Sequence, residues 1–241
     1  MASNPSVLVV IPARGGSKGL PRKNLQELMG RSLVSRAILT ALSLTEEKHV
    51  VVTTDSQEIA DEARKFGALI PFLRESTLAG DFATTEETLQ DCILRCEDIY
   101  RCKYDFAVYF SPSEGFLARD TVETGIKFLK DNSNYESYFS GRFTVKNYWT
   151  ESENSEFTRI LESMREYTSR QIKKPIWRED TGRGLVSQAS LWRKGRRIGE
   201  RNFIEKTQDP RADLDIHSAL DLRVAEIVLR ELGDHQFLST N

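Results

Sequence analysis

The first 131 residues alternate short apolar runs with amphipathic helical patterns, and this alternation limits the possible folds more than any other feature of the sequence. The periods predict four strands and four helices, with strands at 6–11, 49–54, 68–73 and 104–110 and helices at 32–44, 56–66, 84–100 and 118–131. Elements that alternate at this spacing build a mainly parallel sheet sandwiched by helices, with right-handed crossovers. We therefore predict an α/β, Rossmann-like fold, whose ligands bind at the carboxyl ends of the strands.

The alternation stops after about residue 140. The stretch from 148 to 201 is polar and charged, has no clean period and contains Trp149, Trp177 and Trp192. We predict a single domain over residues 1–241 that includes an excursion from the sheet at about 140–205, followed by a last helix at 220–232. A long irregular segment of this kind is usually functional, an interface, or both.

Composition limits the compartment and the partners. The formal net charge of −2 gives no overall attraction to nucleic acid, and no apolar stretch approaches the roughly 18 to 20 residues that cross a bilayer. The N-terminus MASNPSV lacks a charged region before its apolar run. We therefore expect a cytoplasmic protein without a membrane or nucleic-acid partner. Cys92, Cys96 and Cys102 have no histidine nearby in the sequence, which favours core packing in a reducing compartment.

Residues 10–24 read VIPARGGSKGLPRKN, directly after the first predicted strand. Three glycines allow a ligand to approach the backbone closely, and four cationic side chains bring positive charge to the same loop. The combination suits a polyphosphate. The loop is neither a Walker A motif nor a dinucleotide fingerprint, because its glycine spacing differs from both. From spacing alone, an ordinary solvated turn remains the alternative.

The stretch IPARGGSKGLPRKN resembles the signature of the cytidylyltransferases that make CMP-activated acidic sugars, of which the acylneuraminate cytidylyltransferases are the best known. Further similar stretches follow in the family's order: VTTDS at 52–56, Arg74 with LAGDFAT at 78–84, Arg170-Gln171, and DIHSALDL at 215–222 followed by Ala225-Glu226. The chain is thus identified as a diverged member. The resemblance implies a nucleotide-diphospho-sugar transferase fold and an enzyme that couples CTP to an acidic, sialic-acid-like 2-keto-3-deoxy sugar, releasing pyrophosphate, for surface glycan synthesis.

The resemblance also assigns roles to individual residues. It implies nucleotide contacts from Arg14, Gly15, Gly16, Ser17, Lys18, Lys23, Asn24, Arg74 and Thr84. Among these, Arg14 and Lys23 would neutralise triphosphate oxygens, and the backbone N–H groups from Gly15 to Lys18 could form a concave anion site. We assign Arg22 to a solvated loop charge. Arg14, Lys23 and Asp215 are the predicted catalytic residues.

The predicted cofactor is Mg²⁺, with Mn²⁺ as a further possibility. In the family, two aspartates two residues apart hold the metal, whereas this chain has Asp215 followed by His217. Asp213 lies two residues before Asp215, and alternation along a strand would put all three side chains on one side. Asp213 or His217 could complete the site with Asp215. A helix-capping or surface role for Asp213 and a turn role for His217 are the alternatives.

The sugar site departs from the family pattern. The family segment L-Q-P-T-S-P-L-R appears here as FSPSEGFL at 110–117, so Ser111 replaces the glutamine and Leu117 the arginine. This loss argues against sialic acid itself. We predict substrate contacts from Ser111, Arg170 and Gln171, the last two reaching across a homodimer interface, as in the family. A nucleotidyltransferase for another sugar or nucleotide, and a diverged CTP-binding protein without turnover, remain alternatives.

Overall fold

The computed structural model describes residues 6–80, 82–165, 169 and 171–234. The strands are β1 Val7–Pro12, β2 Glu27–Leu28, β3 Arg31–Ser32, β4 Lys48–Thr53, β5 Phe106–Tyr109, β6 Ser137–Thr144, β7 Trp149–Glu151, β8 Phe157–Arg159, β9 Ile176–Glu179, β10 Leu185–Gln188 and β11 Asn202–Lys206. The α-helices are α1 Leu33–Leu42, α2 Gln57–Lys65, α3 Thr85–Tyr100, α4 Arg119–Asp131, α5 Ala189–Arg193 and α6 Ala219–Leu232.

Seven strands form the main sheet in the order β11-β6-β10-β5-β1-β4, with β9 paired to β6. The central strand β1 pairs in parallel with both β4 and β5. Its residues are apolar without interruption because helices cover both faces of the sheet. Val7, Val9 and Ile11 pack in the core on the side of α1, α2 and α4, whereas Leu8 and Val10 pack on the side of α3 and α5. The predicted α/β fold with a mainly parallel central sheet is confirmed.

The predicted strand at 68–73 is wrong. Only Leu69 forms an isolated bridge, to Val51 of β4, and Leu69 and Leu73 are both exposed. Pro71 has no N–H group to donate to a strand ladder. The chain instead runs irregularly toward Arg74, whose backbone nitrogen donates to the Thr54 carbonyl at 2.8 Å.

The prediction that residues 140–205 leave the sheet is also wrong for most of that range. Strands β9, β10 and β11 belong to the main sheet, and so does β6, whose residues 140–144 fall in this range. Strand β10 runs antiparallel between β5 and β6. The longest stretch of this range without a strand of the main sheet comprises the described residues 145–165, 169 and 171–175, and it includes the β7–β8 hairpin. The sequence did not predict β9 and β11 because most of their residues are exposed. They therefore lack the alternation of apolar and polar residues that indicates a strand. Trp192 is 1% exposed and belongs to the core, so it cannot anchor an interface.

Helix ends follow the sequence signals. Ser56 caps α2, Thr84 and Glu87 form a capping box on α3, and Ser218 caps α6. The three cysteines are free and buried, as expected for core residues. Within the described ranges, no helix has the length and apolar character needed to cross a bilayer.

Candidate active site

The glycine-rich loop begins where β1 ends and is bound to the loop after β4. The Ala13 nitrogen donates to the Thr53 carbonyl at 3.0 Å, and the Gly15 nitrogen donates to Asp55 Oδ1 at 2.9 Å. A Cβ added at Gly15 would lie 3.1 Å from the Ser56 Cβ. The first half of the loop therefore lies tightly against the carboxyl end of β4, where the fold predicts a ligand.

The second half of the loop rests on the C-terminal part of the chain. A Cβ at Gly19 would lie 2.6 Å from the His217 carbonyl oxygen, so only glycine fits there. Leu20 is buried in a small core with Leu214 and Ile216. The buried Asn24 donates from Nδ2 to the Arg14 carbonyl at 2.9 Å, which braces the two ends of the loop.

A cavity of about 410 Å³ opens beside this loop. It brings together most of the side chains that the sequence predicts for nucleotide binding. Its lining includes Arg14, Ser17, Lys18, Lys23, Asn24, Arg74 and Thr84, together with Ser111 and His217. Gly15 and Gly16 are not among its lining residues, and the Gly15 nitrogen already donates to Asp55 Oδ1, so their nucleotide contacts stay predictions.

The charge of the cavity suits a polyanion. Among the residues that the structure describes, its lining contains four cations, Arg14, Lys18, Lys23 and Arg74, and no carboxylate. Burial lowers the pKa of Lys23, Asp215 opposes this shift and Arg14 adds to it. The N-terminus of the 16-residue helix α3 also borders the cavity, and the partial positive charge of a helix N-terminus favours anions.

Arg74 is buried with much of its hydrogen-bonding capacity unused. Its Nη1 donates weakly to Thr88 Oγ1 at 3.5 Å, and its Nη2 lies 4.0 Å from Asp55 Oδ1. Its Nε and Nη2 have no hydrogen-bond partner in the part of the chain that the structure describes. Burial lowers the pKa of this guanidinium, and Asp55 opposes the shift. Because buried donors are normally satisfied, this side chain indicates a place for an external acceptor.

A second cavity of about 330 Å³ adjoins the first. Both cavities are lined by Tyr109, Ser111, Ser113 and His217. Ser111 is held by its backbone nitrogen, which donates to the Gly182 carbonyl at 2.8 Å, and by a 2.8 Å bond between its Oγ and that of Ser113. The predicted sugar-binding serine thus lies at the junction of the two cavities.

The predicted metal residues share one side of the chain, as alternation required. Asp213, Asp215 and His217 are exposed and the two residues between them are buried. His217 Nε2 lies 2.8 Å from Asp215 Oδ2. Both Asp213 oxygens are bound by arginines, Oδ1 by Arg178 at 2.9 Å and Oδ2 by Arg142, so Asp213 is not available as a ligand in this arrangement. No group of three or more metal-binding side chains occurs among the described residues.

Glu114 is a residue of the second cavity that the sequence did not single out. It forms an isolated β-bridge with Asp215. Burial and the Asp215 carboxylate raise the pKa of Glu114 to about 8, while Arg183 opposes the shift. A signal was present in the sequence, because an acid replaces a neutral residue of the family segment at this position. Of the two predicted sugar residues of the excursion, Arg170 lies outside the described residues, and Gln171 is exposed and lines neither cavity.

Comparisons with known proteins agree with this geometry. A family model described as Cytidylyltransferase matches residues 8–105. The chain is 25% identical to Post-translational flagellin modification protein B of Campylobacter coli, over 93% of this chain and 95% of that protein. It is 35% identical to the CMP-N,N′-diacetyllegionaminic acid synthase of Legionella pneumophila, over 52% of this chain and 53% of that protein. It is 33% identical to the pseudaminic acid cytidylyltransferase of Campylobacter jejuni, over 53% and 55% respectively. The last two matches span about half the length of these relatives.

A solved structure shows the same fold. CMP:2-keto-3-deoxy-manno-octonic acid synthetase complexed with CTP superposes with a TM-score of 0.67 at 15% identity, over 94% of this chain and 99% of that chain. This likeness bears on the fold alone. The family model, whose match includes the glycine-rich loop, and the curated relatives bear on the family. Together they show that part of the chain is similar to cytidylyltransferases, among them proteins named for legionaminic and pseudaminic acids.

Proposed function

We propose that the protein couples CTP to an acidic, sialic-acid-like 2-keto-3-deoxy sugar and releases pyrophosphate. The observation that carries this proposal is the pair of adjoining cavities. The described part of the first cavity's lining has four cations and no carboxylate, which suits a triphosphate, and the second cavity opens from it at Ser111 and His217. Two substrates bound in this arrangement would meet at the junction.

In the proposed reaction a sugar hydroxyl oxygen attacks the α-phosphorus of CTP. The bond from the α-phosphorus to the bridging oxygen breaks, pyrophosphate leaves, and the hydroxyl proton passes to water. Catalysis of such a transfer consists mainly of positioning and charge neutralisation. Arg14 and Lys23 supply positive charge beside the loop, and the two free donor atoms of Arg74 supply fixed hydrogen bonds to the nucleotide.

We also propose that Mg²⁺ takes part, held by Asp215. Mg²⁺ commonly binds through one or two carboxylates together with substrate phosphates and water. Asp215 suits this mode of binding, because its carboxylate is exposed at the edge of the second cavity. Asp213 is instead bound by two arginines. When bound, the metal would neutralise phosphate charge.

The role of His217 can be tested with His217→Asp under Mg²⁺ and Mn²⁺. Imidazole suits Mn²⁺ better than Mg²⁺. A gain of turnover confined to Mg²⁺ would make position 217 a ligand position. Unchanged rates and metal preference would make His217 a bystander, which is the result we expect.

The proposed sugars follow from the relatives. Two of the curated proteins are named for diacetyllegionaminic and pseudaminic acids, and Ser111 in place of the family glutamine argues against sialic acid itself. We therefore place nine-carbon acids of this type first. 2-Keto-3-deoxy-octonate and N-acetylneuraminate are the comparison substrates.

Pyrophosphate release tests the proposal. The protein is incubated with Mg²⁺, each sugar of this panel, and CTP, ATP, GTP or UTP in turn. We expect release with CTP and a nine-carbon acid. Release with another nucleotide would indicate a different nucleotidyltransferase. CTP binding by calorimetry without release from any sugar would indicate a binding protein, and absence of both would contradict the proposal.

We propose a cytoplasmic homodimer. The three cysteines are free and buried, as in a reducing compartment. The segment outside the sheet exposes Trp149 at 49%, Phe157 at 61% and Ile172 at 73%, and such aromatic and apolar side chains are typical of interfaces. Light scattering should give a dimer that Phe157→Glu dissociates. Leu94→Glu, on the exposed face of α3, is the control. A concentration-independent wild-type monomer would refute the dimer and the shared role of Arg170 and Gln171.

A further inference from the structure

Two arginines and an aspartate meet where the second cavity adjoins a third one: Arg178 and Asp213 line both cavities, and Arg142 lines the third. Arg142 of β6 and Arg178 of β9 are direct cross-strand partners. Both bind Asp213, with 2.9 Å between Arg178 Nη1 and Asp213 Oδ1. The third cavity, of about 540 Å³, is lined by these three residues together with Phe143, Tyr148 and Trp177.

The second cavity has the wrong charge for an acidic sugar as it stands. Among the described residues, its lining holds the carboxylates of Glu179, Asp180, Asp213 and Asp215, the Glu114 carboxyl group, whose pKa is raised to about 8, and a single cation, Arg178. A carboxylate brought into this space meets like charges on most sides, which disfavours binding. The positive charge that a sugar carboxylate needs is present on Arg142 and Arg178, but both arginines are bound to Asp213.

The contact between Asp213 and the arginines is easily exchanged. The side chains of Asp213 and Arg178 are each 51% exposed, and an ion pair with that exposure changes an equilibrium constant by at most about fivefold. Arg178 has other contacts that keep it in place. Its Nε lies 2.5 Å from Asp180 Oδ1 and its Nη2 donates to the Ala212 carbonyl at 3.0 Å. The guanidinium therefore stays oriented when Asp213 departs.

We propose that Asp213 occupies the place of the substrate carboxylate in the sugar-free protein, and that the incoming sugar displaces it. Arg142 and Arg178 then bind the sugar carboxylate, for which the planar guanidinium is well suited. This inference rests on the proposed function, because it concerns the acidic sugar. It makes Arg142 and Arg178 specificity residues supplied by the same chain as the nucleotide loop. Asp213 is an internal competitor rather than a metal ligand.

The test compares a sugar acid with its neutral ester. The KM of N,N′-diacetyllegionaminate and of its methyl ester is measured at saturating CTP for the wild type, Arg178→Gln and Asp213→Asn. A charge-assisted hydrogen bond corresponds to about a 10- to 150-fold preference for the acid. We expect this preference in the wild type and most of it to be lost in Arg178→Gln. Asp213→Asn should lower the KM of the acid about 1.5- to 5-fold and leave that of the ester unchanged.

Asp61→Asn is the matched control, because Asp61 forms a comparably exposed pair with Arg64 on α2. It should change neither KM. An undiminished preference for the acid in Arg178→Gln would overturn the inference. So would a higher KM for acid and ester alike in Asp213→Asn, since that is the result of a purely structural contact.

Failure of the proposed function is recognised separately. If the wild type releases no pyrophosphate with either compound, calorimetric titration of the acid and the ester into the CTP-bound protein still measures the preference. A preference for the acid that depends on Arg178 would support the arginine pair without turnover. Equal affinity of the wild type for acid and ester, or no binding of either, would overturn it.

Discussion

Replacing Arg74 by methionine should stabilise the ligand-free protein and at the same time impair CTP binding. The Arg74 side chain is 5% exposed, and two of its three nitrogens have no hydrogen-bond partner in the described chain. Burying an unpaired polar group costs about 1 to 3 kcal/mol. Methionine keeps the apolar stem and removes the unpaired groups.

The size of the effect follows from these contacts. The variant loses the 3.5 Å bond to Thr88 and the 4.0 Å contact with Asp55, which are both weak. We therefore expect a net gain of about 1 to 2 kcal/mol in the free energy of unfolding, or about 2 to 8 °C in Tm for a domain of this size. On the proposal that Arg74 donates charge-assisted hydrogen bonds to the nucleotide, the variant loses these as well, so CTP affinity should fall about 10- to 150-fold.

Thermal unfolding without CTP measures the change in stability. The rise in Tm on adding CTP measures the change in CTP binding, because a ligand that binds only the native state stabilises it. Arg36→Met is the control. Arg36 is equally buried but binds Asp234 through two bonds of 2.7 and 2.9 Å and donates to two carbonyls. Removing it strands a carboxylate and should cost about 3 to 5 kcal/mol. If Arg74→Met lowers Tm as Arg36→Met does, or leaves the CTP-induced shift intact, Arg74 is a structural residue and the reasoning is refuted.

Three further predictions concern the loop and its surroundings. Lys23→Ala should lower turnover about 100- to 1000-fold with little change in Tm, because a phosphate-facing lysine stabilises charge in the transition state; equal turnover would remove Lys23 from the site. Gly19→Ala should weaken CTP binding and lower Tm, because the new Cβ would lie 2.6 Å from the His217 carbonyl oxygen, whereas Gly16→Ala, whose new Cβ would have no described protein atom within 4 Å, should leave Tm unchanged. Burial raises the pKa of Glu114 from its ordinary value of 4.5 to about 8, so the native state holds a proton that the unfolded chain has released. The free energy of unfolding should therefore fall as the pH rises between these two values. Urea unfolding at pH 5, 7 and 9 should show this slope in the wild type and a smaller slope in Glu114→Gln; identical slopes would contradict the raised pKa.

The sequence predicts the first half of the fold well because each central element carries its own signal. Strand β1 is covered on both faces and reads as an unbroken apolar run, and helices such as α3 are marked by a capping residue. The apolar run at 68–73 was wrongly predicted to be a strand. Pro71 interrupts it, and the chain there leads to Arg74 at the cavity instead of pairing with a neighbouring strand. The strands of the second half were missed because they are short and largely exposed, so that only pairing with distant neighbours defines them.

The site likewise contains some residues that a local sequence pattern marks and others that only distant contacts define. The glycine-rich loop, Arg74 and Ser111 are recognisable because they belong to contiguous family-like stretches. Glu114 and Arg178 acquire their significance only from neighbours far along the chain, Asp215 in one case and Asp213 in the other. No local pattern reports such a pairing. The roles of these residues in binding and catalysis remain predictions for the experiments above.

The packing of the glycine-rich loop has a consequence for how the protein matures during translation. The loop is synthesised long before the groups that support it, which are the His217 backbone and the core of Leu214 and Ile216 around Leu20. Contacts so distant along the chain close slowly. A nascent chain should therefore form β1 and its flanking helices while the glycine-rich loop still lacks the contacts that support it. Nucleotide binding would then begin only after α6 has docked, so that CTP would bind the folded protein and not its folding intermediates.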